Sequence, residues 1–347
     1  MDQPSRQPPP AAAPLLAALL LLPAAASAQP PPDVHLIGTG GTISGGAGGP
    51  LNAADLRAAI PELESVARVT TEDFVRIGSS RMHPELQLGL ARRIAAVFDE
   101  RPDLSGVVVT HGTDSLEETA FLLDLVLPAG RPVVFAAAQR PPRFTDSDGP
   151  RNLLDAIRTA ASPRMRDLGV LVVLNGQIHA AREVEKSHSI ALHAFVSPDT
   201  GPVGAVDAGE ILLFSTPRRR LHLPTEQVET AVDLVRLTAG GGAAFVTAAM
   251  TAGARGLVVE SFGRGNAPPD VMHAVRAAVA AGVTVVLTSR TGAGRVVLSE
   301  EQRSLGILSG GDLDGLKARM LLAAALGAGR SAEEIAAAFA RLAGAAP

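Results

Sequence analysis

The sequence predicts an α/β chain, with a doubly wound, mainly parallel sheet in an N-terminal domain and a smaller α/β C-terminal domain. Three observations carry this. From Val34 onward, short apolar runs alternate with helix-length stretches, the pattern of strand–helix–strand units. Polar and glycine-rich clusters fall at the carboxyl ends of those runs, where open parallel sheets hold ligands. The chain has 347 residues, 46% apolar and 19% charged, enough for two cores and too apolar for disorder.

Residues 1–28 read as a secretory signal. Arg6 is the basic residue, and the apolar run Ala11–Ala26 is broken by Pro14 and Pro23. It closes on Ala26-Ser27-Ala28, the small-x-small pattern of a cleavage site. A spanning helix needs about 20 apolar residues, so a periplasmic or secreted protein is expected, with no membrane contact after cleavage. Gln29–Pro32 is a short extended lead-in.

The first domain is expected over residues 33–214. Its strands read as Val34–Ile37, Phe74–Ile77, Gly106–Thr110, Pro132–Ala136 and Gly169–Leu174. Between them, helices read as Ala53–Ile60, Pro84–Phe98, Ser115–Leu127 and Pro150–Ala161. Pro61 stops the first helix, and Pro150 suits the first turn of the last. Gly209–Phe214 reads as an antiparallel hairpin arm.

Residues 215–231 read as the linker, polar and marked by Pro217 and Pro224; its triple arginine, Arg218–Arg220, is most simply solvated. The second domain, 232–347, offers strands at Val232–Leu237, Gly256–Glu260 and Gly282–Thr288. Helices are expected near Ala243–Ala252, Asp270–Ala281, Leu313–Leu326 and Ser331–Ala343. Ser331 and Glu334 form a capping-box pattern at the start of the last.

Composition narrows the chemistry. With 31 Lys plus Arg against 35 Asp plus Glu, the net charge is −4, which disfavours a nucleic-acid partner. The absence of cysteine excludes disulfides, thiol nucleophiles and Cys-bound zinc. No His/Asp/Glu spacing suggests a metal, and no cofactor is expected. Tyr and Trp are also absent, so no tyrosine hydroxyl can take part.

Candidate groups sit at strand ends. Gly38–Gly46 is either a phosphate-cradling loop or a tight turn presenting Thr42 as a nucleophile. The register of its glycines does not fit Gly-x-Gly-x-x-Gly, and no Gly-Lys-Ser/Thr follows. The third strand ends in Thr110-His111-Gly112-Thr113-Asp114-Ser115. Thr113 and Asp114 would face the same cleft as Thr42, although Asp114 or Ser115 could simply cap a helix. His111 is an acid–base candidate or a satisfied structural residue. Ser79 and Ser80 end the second strand, and Ala138-Gln139-Arg140-Pro141 the fourth. Lys186 is a surface lysine beside glutamates or a cleft base.

Taken together, these segments resemble the bacterial L-asparaginase/glutaminase family. The match rests on Thr39-Gly40-Gly41-Thr42-Ile43, on His111–Ala120, and on Arg140-Pro141, Ser147-Asp148-Gly149-Pro150 and Glu185-Lys186. Gly263-Arg264-Gly265-Asn266 resembles the family's second-domain turn, and the signal points to the secreted, type II branch. The resemblance implies an amidohydrolase that converts L-asparagine to L-aspartate and ammonia through an acyl-enzyme on Thr42. Thr113, Lys186 and Asp114 would form a second hydroxyl–base–carboxylate chain. Backbone at Thr113 and Ala138 would hold the oxyanion, Ser79 the substrate α-carboxylate and Asp114 its α-ammonium. A homotetramer of close dimers is implied, a neighbour closing each site. Three departures stand out. The family's mobile-loop tyrosine has no counterpart in Ser44–Leu51. Ser80 replaces the family's glutamine beside the carboxylate-binding serine. For the neighbour's acidic residue, Glu300 is the nearest candidate. Mixed asparagine–glutamine specificity, or a catalytically weak amino-acid-binding relative, are the competing expectations.

Overall fold

Eight residues, Asp33–Gly40, form β1, and all but the first are buried. A strand covered on both faces needs apolar or small side chains almost throughout, and Val34, Leu36, Ile37 and two glycines meet that need. The computed structural model describes residues 30–46, 49–217 and 220–343. Residues 1–29, 47–48, 218–219 and 344–347 lie outside them, and with these the signal segment and two of the three consecutive arginines.

After β1 the chain makes a small glycine hairpin, β2 (Gly45–Gly46) and β3 (Gly49–Pro50). It continues through α1 (Ala53–Ala58), β4 (Arg68–Ile77), α2 (Pro84–Glu100), β5 (Gly106–Thr110) and α3 (Leu116–Val126). Then come β6 (Val133–Ala136), α4 (Gly149–Ala161) and β7 (Val170–Leu174). Five of these strands run parallel in the order β4-β1-β5-β6-β7. The order reverses between β1 and β5, the switch point at which such sheets open a crevice. Neighbouring residues of β5 show the double winding. Val108 packs with Leu56 of α1 and Leu153 of α4, whereas Val107 and Val109 pack with Ile94 of α2 and Leu123 of α3.

The sheet is extended by three antiparallel strands. β8 (Gln177–Ala180) pairs with β7; then, beyond the short pair β9 (Glu185–Lys186) and β10 (Phe195–Val196), β11 (Gly204–Asp207) and β12 (Glu210–Leu213) complete the edge.

A second sheet holds β13 (Val232–Arg236), β14 (Gly256–Ser261), β15 (Thr284–Ser289) and β16 (Leu308–Ser309), parallel and in sequence order. On one face lie α5 (Ala244–Thr251) and α6 (Pro269–Ala280). Beyond the single-turn α7 (Glu300–Ser304), α8 (Gly315–Gly327) and α9 (Ala332–Ala343) cover the other. The core under α8 also takes Phe121, Leu122 and Leu125 of α3, so the two halves share apolar contact through α3, and the described residues from 31 onward pack as one unit. The capping box forms as expected: Ser331 N–H reaches Glu334 Oε2 at 2.8 Å, and Glu334 N–H reaches Ser331 Oγ at 3.3 Å.

Several expectations need correction. β4 begins at Arg68, six residues before the expected start; as an edge strand it alternates exposed and covered residues, so no apolar run marks it. β8 was not anticipated, although Asn175-Gly176, both at positive φ (50° and 72°), is the two-residue turn that folds it back on β7. β11 was missed likewise; the expected arm is its partner β12, joined through Ala208-Gly209. The α7 turn and β16 also went unread. Arg220 is not a solvated linker residue: its Nε donates to buried Asp124 Oδ1 at 3.0 Å.

Glycine at the switch point is a packing requirement. Gly41 has φ +83°, and a Cβ there would overlap the backbone of Gly112. Gly41→Ala should therefore lose about 1–2 kcal/mol for the left-handed backbone and about 1–3 kcal/mol more for overpacking. At Gly253, φ +87° with nothing within 4 Å of an added Cβ, only the first loss applies. Urea melts of both variants check this, and equal destabilisation would show that the crowding is harmless.

Candidate active site

Three strand ends meet at the switch point. Gly41 N–H donates to Ile77 O at 3.1 Å, and Thr39 Oγ1 donates to Thr110 O at 2.8 Å. These bonds bring the carboxyl ends of β1, β4 and β5 side by side. They frame an open cleft of ≈ 330 Å³ whose lining includes Thr42, Arg76, Ser79, Thr113 and Asp114. Its volume suits a small molecule of amino-acid size.

Thr42 opens a 3₁₀ turn immediately after the Gly40-Gly41 bend. Its hydroxyl makes no hydrogen bond among the described residues. Ser44, the one hydroxyl residue of the Ser44–Leu51 segment, is buried, with Oγ facing Gly40 O at 3.5 Å.

Opposite lies a connected set. Lys186 Nζ donates to Thr113 Oγ1 at 2.8 Å and lies 3.3 Å from Asp114 Oδ1. β9 delivers the lysine, and the loop after β5 delivers the other two. Ser79 Oγ accepts Asp114 N–H at 3.0 Å. With that acceptor site used, the serine proton remains free for an anionic ligand. Ser115 donates to Ser79 O at 2.7 Å rather than capping α3, which ties the two loops again.

His111 takes the structural role. Burial pushes it down to about 4, against the Gly112 contact and the Asp114 charge. Its Nδ1 lies 2.7 Å from Gly112 O; a carbonyl only accepts, so Nδ1 carries the proton. A neutral, enclosed imidazole bonded to its own loop fixes that loop's shape.

The remaining sequence candidates stand just outside the cleft lining. Ser80 is exposed in the turn after β4, and Ala138 is fully buried. Asp148 explains the quoted Ser-Asp-Gly-Pro motif: its carboxylate accepts Gln139 N–H at 3.1 Å and Arg140 N–H at 2.9 Å. Asn152 Nδ2 adds a bond to Ala137 O at 2.9 Å, so the segment around Ala138 is held from both sides.

Behind Lys186 is a group of charges that sequence reasoning missed. Glu117, read as a first-turn residue, accepts Lys186 N–H at 2.9 Å. Lys317 of α8 is buried nearby, and a lysine on the apolar stripe of Leu313, Met320 and Leu321 was the available signal. Burial raises Glu185 to about 7, with Lys317 opposing and Asp314, Glu117 and Asp199 adding to the rise. The folded state thus keeps a proton that an unfolded glutamate releases above about 4.5. Stability from this group is full below about 4.5 and is lost as pH rises through about 7. Glu185→Gln has no such proton and should gain on wild type across that window. At 1.36 kcal/mol per pH unit, discounted for partial exposure, the gain is about 1–3 kcal/mol. Denaturant unfolding of both proteins at either end of the window tests this; a constant difference between them refutes it.

Comparison with known proteins accords with this geometry. Residues 33–219 match the family model described as Asparaginase, N-terminal, and residues 231–339 that of the Glutaminase/Asparaginase C-terminal domain. L-asparaginase 2 of Bacillus subtilis (strain 168) is 33% identical over 311 residues, 85% of this chain and 82% of its own length. The glutaminase-asparaginase of Pseudomonas fluorescens biotype A is 33% identical over 322 residues, covering 87% and 88%. In structure, a probable cytoplasmic L-asparaginase from Campylobacter jejuni superposes with a TM-score of 0.84 at 32% identity, covering 89% of this chain and 99% of that one. Matched along both halves by sequence and by fold, the chain belongs to the asparaginase family.

Proposed function

We propose that this protein hydrolyses the side-chain amide of L-asparagine to L-aspartate and ammonia. The observation that carries the reading is one cleft lined by Thr42, Thr113 and Asp114, with Lys186 bonded to the last two. Thr42 Oγ attacks the amide carbon, the C–N bond breaks, and ammonia leaves with the proton given up by the hydroxyl. The resulting ester is opened by water, which restores Thr42 and releases the carboxylate. Lys186, oriented by Asp114, moves the proton through Thr113, as a hydroxyl–base–carboxylate chain does. Backbone N–H groups of Thr113 and Ala138 take the oxyanion, the kind of donation worth about 3–4 kcal/mol. Ser79, with its proton free, receives the α-carboxylate beside Ser80, and Asp114 receives the α-ammonium.

Ammonia release from asparagine and from glutamine by the purified protein tests the reading; no release from either would leave only a binding role. One methylene separates the two substrates, and such a difference is worth about 1–3 kcal/mol in a pocket. With no tyrosine in the chain and Ser44 turned toward Gly40, closure over substrate lacks a hydroxyl. A KM for asparagine near 1 mM, at the upper end of the usual range, is expected, with turnover below about 10 s⁻¹. Steady-state kinetics decide this, and a micromolar KM with faster turnover would show that another group has taken the role.

The same reading places 33–214 and 232–347 as two domains joined by 215–231, near the limits of the matched family models. It also includes export, supported by the Ala26-Ser27-Ala28 site and by a relative named as periplasmic in Haemophilus influenzae. N-terminal sequencing should find the mature chain starting after Ala28; an intact Met1 would refute export. Exposed Phe245, Ile190 and Phe214 support assembly into a homotetramer, which light scattering measures directly.

A further inference from the structure

Lys186 reaches Thr113 only while the two-residue strand that carries it is held in place. Beside the pairing with β10, the bond that holds it is its own N–H, donated to Glu117 Oε2 at 2.9 Å. Glu117 lies in the first turn of α3, three residues after Asp114, and is buried. Burial pushes the Glu117 carboxyl up, and a compensating charge opposes the rise.

That charge comes from the second sheet's helix α8. Lys317 is 1% exposed, and its Nζ donates to Asp314 Oδ2 at 2.5 Å. Asp314 sits at the N-cap of α8 and accepts Lys317 N–H at 2.8 Å. Burial alone would push the Lys317 ammonium down; Asp314, Glu117 and Glu185 outweigh it and hold the group above its ordinary value. Two residues along α8, Arg319 faces Glu118 at 3.8 Å. The Arg319–Glu118 pair therefore crosses the α3–α8 packing, beside the buried Lys317 ammonium and the apolar contact of Phe121, Leu122 and Leu125. The start of the same segment is tied to the same half of the chain. Buried Arg182 donates to Asp312 Oδ1 at 2.5 Å and to Leu342 O at 2.7 Å.

We infer that Lys317 is a positioning residue for Lys186: its buried ammonium fixes Glu117 and Glu185, so that β9 presents the lysine amine to Thr113 and Asp114. Lys317 touches neither substrate nor reacting atoms. Without it, Asp314, Glu117 and Glu185 lose their buried countercharge. Glu117 then turns away, and the Lys186 N–H loses its anchor. The inference rests on the reading of Lys186 as the base of the site.

The test uses the full chain and four variants: Lys317→Met, Glu117→Ala, Glu117→Gln and Lys186→Met. Two quantities are read, kcat against KM for asparagine and hydrogen exchange at the Lys186 amide. Lys317→Met and Glu117→Ala should lose about ten- to a hundredfold in kcat, the scale of a small misplacement of a reacting group, with KM little changed. Their Lys186 amide should exchange faster than in wild type. Glu117→Gln keeps a carbonyl acceptor for that amide and should keep most of kcat. A folded Lys317→Met with wild-type kcat and wild-type exchange overturns the inference. Should Lys317→Met fail to fold, equal kcat in the two Glu117 variants overturns it. Lys186→Met separates the two readings. A wild-type rate there sinks the base assignment itself, whereas loss there without loss in Lys317→Met sinks only the positioning role. Exchange at the Lys186 amide reads out the anchor whether or not turnover is present.

Discussion

Thr42→Ala is expected to lower asparagine turnover by at least about 10⁴-fold, the scale on which removal of a covalent nucleophile registers. Binding should change little. The Thr42 hydroxyl makes no hydrogen bond among the described residues, so its loss leaves no buried partner unsatisfied. It lies in the cleft wall rather than in a core cluster, so no cavity opens, and stability should stay within about 0.5 kcal/mol of wild type. Calorimetric titration with asparagine and a single-turnover assay give the two halves of the result. Turnover within tenfold of wild type would transfer the nucleophile's role to Thr113.

Lys186→Met carries the second large effect. Among the described residues, Lys186 Nζ is the side-chain group hydrogen-bonded to Thr113 Oγ1, at 2.8 Å, and methionine preserves length and packing without a titrating group. Loss of a positioned proton acceptor costs about 10²–10⁴-fold in rate. Because the two side chains act through one bond, adding Thr113→Val to Lys186→Met should cost little more than either change alone. Four rate constants complete the cycle. Independent, multiplying losses would mean that the lysine and the threonine serve different steps, and an active Lys186→Met would return the lysine to a surface role.

Local physics made the parallel strands readable in the sequence. β5, β6 and β7 are covered on both faces, and each is an unbroken apolar or small-residue run. The first six residues of β4 escaped because an edge strand carries polar residues on its open side, and β8 because polar Gln177 and His179 alternate through it, leaving only its turn as a mark. The candidate side chains were legible for a different reason: Thr42, Ser79 and Thr113 all follow strand ends, so the topology rule found them before any distance was known. Glu117 and Lys317 were not legible in that way. Each acts by bonding or charging a segment remote in sequence, and nothing in a neighbouring dipeptide records it. Arg220 was misread for the same reason, since its partner Asp124 lies 96 residues away.

The buried Lys317 also bears on the order in which this protein becomes itself during synthesis. It leaves the ribosome about 130 residues after Lys186, an interval of roughly 7–26 s at ordinary elongation rates of ~5–20 residues per second. Through that interval the nascent first sheet has every strand of its crevice, yet Glu117 waits without its cation and the apolar side of α3 without its cover. A chain released early, or cut between the two sheets, would carry all of Thr42, Thr113, Asp114 and Lys186 and still lack the helix that squares them to one another. Maturation of the crevice is thus timed by the far end of the polypeptide.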